Sequence, residues 1–272
     1  MEKVEENKSS NKRTNILGVS LWRILAYFII YSVLGYILET VFALVVYKVI
    51  ESRQSFLYGP FCSIYGVGAI IMIVCLRYFC KGDNHLLFIG GFAVGSVTEY
   101  IISFLGEMLL KVKWWDYSNH FLNINGRICL MYSFFWGLIG VYLMRVINPR
   151  VDKFIDYIKS KIKLNYIKVI VVTVVILLFI NCIVSAMAIY YYFIRVITLK
   201  DLEVANKEQV TELYKKIYND KEKSDFIYKH WGNEKMIKTY PNLRITLKDG
   251  KLIHIKDLYP EIKPYYWKYE TK

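Results

Sequence analysis

Apolar positions along the chain gather into five runs, about Leu21 to Tyr47, Ile64 to Phe79, Leu86 to Leu110, Ile128 to Ile147 and Val169 to Ile194. A membrane-crossing helix needs about 20 apolar residues, because each adds about 1.5 Å against a hydrocarbon core of about 30 Å. All runs but the second are comfortably long enough. The pattern therefore predicts an all-α polytopic membrane protein, a bundle of about five transmembrane helices over 21–194. The second run is short, and reads as a span with little tilt or as a partly re-entrant segment. The first is too long for the apolar part of a cleavable signal and lacks a small-residue cleavage site after it, so it reads as a retained anchor.

Between the runs the periodicity changes. Residues 1–20 are polar and charge-mixed, with too few apolar groups to build a core, and read as a disordered cytoplasmic lead. In "NPRVDKFIDYIKSKIKLNYIK", Asn148 is a plausible N-cap and Pro149 a first helical residue; Val151, Phe154, Ile155, Ile158 and Ile162 follow at helical spacing. This predicts a basic amphipathic helix over about 149–163, lying on the inner membrane surface. It serves either as a headgroup-bound connector or as a docking helix that offers Phe154, Ile155 and Ile158 to a cytoplasmic partner. From 195 to 272 the chain turns polar: Val210, Leu213, Tyr214 and Ile217 recur at helical spacing, and "LRITLKDGKLIHI" alternates in period two around Asp249-Gly250. This predicts a small α+β tail, a helix plus a hairpin, too short to bury much surface by itself.

Composition agrees with a bilayer as the solvent: 55% of residues are hydrophobic, 17% are aromatic and the mean hydropathy is +0.29. The net charge of +13 could suggest nucleic acid, but the basic residues flank apolar runs instead of lining one soluble face, so no nucleic-acid partner is read. Lys3, Lys8, Lys12, Arg13 and Arg23, then Arg77 and Lys81, then the seven basic residues from Arg145 to Lys168 fall on one side of the alternating loops. The facing loops hold only Lys48 and Arg53, then Lys111, Lys113 and Arg127. The bias puts the N-terminus in the cytoplasm and, with five spans, the tail outside. Cys62, Cys75, Cys80, Cys129 and Cys182 show no metal or redox spacing; most read as small packing residues, and Cys62 and Cys129 fall near outer helix ends where they could pair. No phosphate loop, dinucleotide fingerprint, zinc-protease motif or nucleophile elbow is present, so no cofactor, metal site or catalytic set is assigned.

The polar chemistry lies where lipid should be. Glu39 interrupts the first run, and Glu99 and Glu107 the third; an acid in a span costs about 2.5 to 3.5 kcal/mol on insertion scales, so each should face a cavity or a partner. Gly91, Gly95, Glu99, Ser103 and Glu107 recur every four residues and share a slowly drifting helix face, small at one end and polar at the other. The connection after this run, "WWDYSNHFLNINGRICL", concentrates Asp116, Asn123, Asn125, Gly126 and Arg127. It can roof the stripe: Asp116 accepts, Arg127 offers a fork of donors, the asparagines make side-chain turns and Gly126 permits backbone geometry other residues resist, with Trp114 and Trp115 as interfacial anchors. Glu39, Glu99, Glu107, Asp116, Asn125 and Arg127 are thus the candidates for an outward polar cavity. The competing reading is an ion pair of Arg127 with Asp116 or Glu107 that only fixes packing.

The strings "YSVLGYILE", "LYGPFCSIYGVGA", "EYIISFLGE" and "WWDYSNHFLNINGRICL" followed by "YSFFWGLIG" resemble the ABC-transporter type IV membrane proteins, the CmpB-like permease family of Gram-positive bacteria. The resemblance covers about Trp22 to Arg145. It implies a cell-membrane permease subunit with a separate cytoplasmic ATPase partner and carries no catalytic residue set with it. The chain departs from the pattern at Tyr36 and Ser63, where such proteins often have tryptophan and proline, and the tail is an addition. Three readings follow: a transport subunit, with homo-oligomerisation expected of so small a bundle; a membrane-embedded enzyme acting on lipid-linked substrates at the outer leaflet; and a sensor or assembly factor presenting the tail.

Overall fold

In the computed structural model of the chain the described residues are 15–16, 18–78, 83–110 and 115–269. Trp114, Lys111, Lys113, Cys80, Lys81 and most of the N-terminal lead lie outside them. After a short antiparallel pair, β1 (Asn15–Ile16) with β2 (Val19–Ser20), the apolar runs appear as α1 (Leu21–Tyr47), α2 (Ser63–Leu76), α3 (Asn84–Leu110), α4 (Leu130–Tyr142) and α6 (Leu164–Leu199). A π-turn at Leu143–Ile147 joins α4 to α5 (Asn148–Lys161). Among the described residues four helical segments are long and apolar enough to cross a membrane: Leu21–Tyr47, Asn84–Met108, Leu130–Lys161 and Leu164–Leu199. The helix on the short second run has 14 residues, about 21 Å at 1.5 Å per residue. The chain is thus a mostly helical polytopic membrane protein with a small α+β tail.

The described chain forms two compact units, one from residues up to Tyr31 with Ile64–Val174, the other from Ser32–Ser63 with Val175–Lys272. In the first, Ile24, Tyr27 and Tyr31 of α1 pack with Ile73 and Leu76 of α2, Leu87 of α3, Leu143 and Met144 of the π-turn, and Val151 and Ile155 of α5. Close approach of α3 and α4 depends on glycine: a Cβ on Gly91 would meet the Cα of Gly140, and one on Gly95 would fall on the Trp136 side chain.

The Asn148 N-cap expectation is corrected. The helix runs through this position, with Ile147 already helical and the Asn148 N–H bonded to the Leu143 carbonyl, five residues back. The widened π-turn is where the chain accommodates Pro149, which cannot supply the next helical donor and whose ring crowds the preceding turn. The freed Asn148 side chain instead joins a buried network: it accepts from the Tyr31 hydroxyl at 3.0 Å and donates to Asp152 at 3.3 Å, while Asp152 also takes the Tyr27 hydroxyl and pairs with Arg23 at 3.0 Å.

In the second unit, α7 (Lys207–Tyr218), α8 (Lys221–Trp231), α9 (Asn233–Thr239) and the hairpin of β4 (Arg244–Thr246) with β5 (Leu252–His254) surround the end of α6. Gly250, at φ +84°, makes the hairpin turn that Asp249-Gly250 predicts. Arg195 of α6, fully buried, donates to the Trp231 carbonyl at 2.8 Å and lies over the faces of Tyr192 and Tyr228. The tail is built onto the loop after α1. β3 (Val49–Ile50) pairs antiparallel with β6 (Trp267–Lys268), the Leu57 N–H donates to Ser185 at 2.7 Å, and Asn181 exchanges hydrogen bonds with the Tyr58 backbone at 2.7 and 3.3 Å.

Candidate functional site

The polar face of α3 and the loop that follows it meet inside the first unit. Glu99 is 7% exposed, and each of its carboxylate oxygens accepts one neutral donor: the Tyr117 hydroxyl of the loop at 2.9 Å and the Trp136 indole N–H of α4 at 3.0 Å. One turn on, buried Ser103 accepts from the Arg127 guanidinium at 3.2 Å. A further turn on, Glu107 pairs with the same guanidinium at 2.6 Å. The rings of Tyr100 and Phe104 lie 5.8 and 5.6 Å from it, so Arg127 has charge, hydroxyl and aromatic partners along one side of α3.

The loop holds its shape largely by itself. Asp116 accepts from the Ser118 backbone at 3.0 Å and from its hydroxyl at 2.5 Å, and Asn123 accepts from the Gly126 N–H at 3.1 Å while donating to the Ser118 and His120 carbonyls at 3.0 Å. Gly126 sits at φ +65°, and a Cβ there would fall on Asp116 and Ser118, so both space and backbone geometry demand glycine. Trp115 donates to the Arg127 carbonyl at 2.9 Å, and Asn125, itself at φ +53°, donates to the Tyr100 hydroxyl at 2.9 Å. Tyr117 stacks on Tyr132 with ring centroids 4.5 Å apart. Burial, and then the charge of Glu99, push the Tyr117 hydroxyl well above its ordinary pKa, so it stays a donor to the carboxylate.

Of the six sequence candidates, Glu99, Glu107, Asn125 and Arg127 come together on α3 and its loop. Asp116 is exposed and anchors the loop's own turn, and the Arg127 ion pair is with Glu107. Glu39 belongs to the second unit, where it is half-buried on α1. On α5, Phe154 is exposed, Ile155 is 4% exposed within the core and Ile158 packs against that core. Its outer face carries Arg150, Lys153, Phe154, Tyr157 and Lys161. Sequence reasoning passed over Tyr117 and Trp136, although a tryptophan inside an apolar run signals a buried N–H that must find an acceptor. It also passed over the Tyr27, Tyr31, Asn148 and Asp152 network.

Among the described residues no group of His, Cys, Asp and Glu side chains could hold a metal ion, and Cys62, Cys75, Cys129 and Cys182 are all thiols.

The profile of the family described as "Putative ABC-transporter type IV" matches residues 26–186, more than half of the chain. The chain belongs to this family. The match takes in all of α2 to α5 and ends within α6, so the Glu99 and Arg127 cluster lies inside the ABC-transporter type IV region and the tail lies beyond it. No curated protein and no solved structure matches the chain.

Proposed function

We propose that this ABC-transporter-type membrane protein is a permease subunit, with an outward-facing polar site roofed by the loop after α3 and powered by a separate ATPase on the cytoplasmic side. The observation that carries the reading is the Glu99 carboxylate, enclosed in the wall of a span and held by a loop whose second anchor, Arg127 to Glu107, reaches an exposed acid. An acid in a span marks a polar pathway by default, and a lid fastened to α3 by the side chains of Tyr117, Asn125 and Arg127 can open without dismantling the helix packing below.

The orientation has support from parity. Val49–Ile50 and Trp267–Lys268 are paired, so they lie on one side of the membrane, and the chain must cross an even number of times between them. Among the described residues the long helical segments in between are Asn84–Met108, Leu130–Lys161 and Leu164–Leu199, an odd number, so α2 is the remaining crossing despite its 14 residues. A short span is tolerated where the bilayer thins locally or flanking side chains snorkel. With the basic loops inside, the tail, the loop after α1 and the roof loop are outside, and α5 is cytoplasmic.

On this reading the exposed face of α5 meets the ATPase through Phe154 and its basic neighbours; Ile155 and Ile158 hold α5 to the core. The complex purified from native membranes should hydrolyse ATP, and Phe154→Glu should remove that activity from the purified fraction while leaving insertion intact. Turnover of lipid-linked substrates by the purified chain without nucleotide would replace this reading with the enzymatic one.

A further inference from the structure

An exposed apolar stripe of α6 runs towards the C-terminal end of the span. Ile176, Ile180, Ile183, Met187 and Tyr190 are all exposed and recur at steps of four and three, one continuous helix face. Where this stripe reaches Met187 and Tyr190, α7 and α8 stand beside it and convert it into one wall of a groove of about 630 Å³. Leu213 and Ile217 of α7 and Phe226 and Trp231 of α8 supply the other walls, all within the second unit. The volume lies within the roughly 300–1,000 Å³ usual for small-molecule sites.

An open apolar groove on a water-facing tail would be a liability, whereas a groove in line with a lipid-facing stripe is filled by the material that covers the stripe. The charged groups in its wall are Lys216, Lys223 and Glu222. Lys216 is exposed and has no ion pair among the described residues, and Lys223 is exposed and shares its charge with Asp220 at 2.9 Å. Asp220 takes up the Lys223 charge, so Lys216 is the wall's ammonium without an ion pair among the described residues and is the one that favours an anionic headgroup. We propose that this groove seats an acyl chain of an anionic phospholipid whose phosphate is held by Lys216. The site lies outside the Glu99 and Arg127 cluster and does not depend on the transport reading.

The test uses the full-length protein in phosphatidylcholine vesicles containing phosphatidylglycerol with a photoreactive group in its acyl chain, and maps the crosslinked peptides. Label is expected on 213–231, the groove label, as well as along the span. Lys216→Gln should lower the groove label about fivefold, the factor one basic residue contributes at an anionic surface, with label at 176–183 unchanged. Leu213→Gln should lower it too. Label confined to the span, equal groove label from a phosphatidylcholine probe, or groove label indifferent to both substitutions overturns the proposal.

Discussion

Glu99 is the buried acid of α3, and its two partners make its removal costly in a specific way. Glu99→Ala would leave the Tyr117 hydroxyl and the Trp136 N–H without their acceptor, at about 1–3 kcal/mol for each stranded group. Thermal unfolding in detergent should therefore drop clearly for Glu99→Ala and less for Glu107→Ala, since Glu107 is exposed and Arg127 keeps Ser103 and the Tyr100 and Phe104 rings as partners. In the tail, burial and then the neighbouring charges of Arg244 and Lys256 hold the His254 imidazole below its ordinary pKa, outweighing Asp257. The unfolded chain therefore binds the proton more readily. Stability is full above the unfolded value of about 6.5 and is lost as pH falls through the lowered folded value. Unfolding of the tail followed from about pH 7.5 to about pH 5 should show this loss, and His254→Gln should flatten it.

At the scale of the element, the contact between α3 and α4 works because its facing positions lack side chains. Gly95→Leu should drive the new side chain into Trp136 and destabilise the pair by about 1–3 kcal/mol or more, while Gly68→Ala, where a Cβ meets nothing within 4 Å, should raise stability by up to about 1 kcal/mol through helix propensity. The four-residue spacing of small and polar groups was enough to read this face from the chain, because helical periodicity is local. The partners were not legible in the same way. Tyr117 and Trp136 are 18 and 37 residues from Glu99, and only packing decides which donor reaches a given carboxylate. The Asn148 N-cap failed for a related reason: the local signal for a helix start was sound, but the chain continued through a π-turn and used the side chain for Tyr31 and Asp152.

Across the whole molecule the strongest expectation concerns sidedness. In a cysteine-free background, Phe121→Cys in the roof loop and Tyr269→Cys beside β6 should both label from outside intact cells, and Ser160→Cys on α5 only after permeabilisation. Opposite labelling of Tyr58→Cys, in the loop after α1, and Phe121→Cys would show that α2 does not cross. Hydropathy alone determined that this chain belongs in a membrane, where its long helices run and which helix face carries acids, because the cost of polar groups in hydrocarbon acts on each segment separately. Only tertiary structure decided that the last strand returns to Val49–Ile50, that Arg127 takes Glu107 as its ion-pair partner and that Ile155 is core. Those outcomes are contacts between residues distant in sequence, which no local pattern encodes.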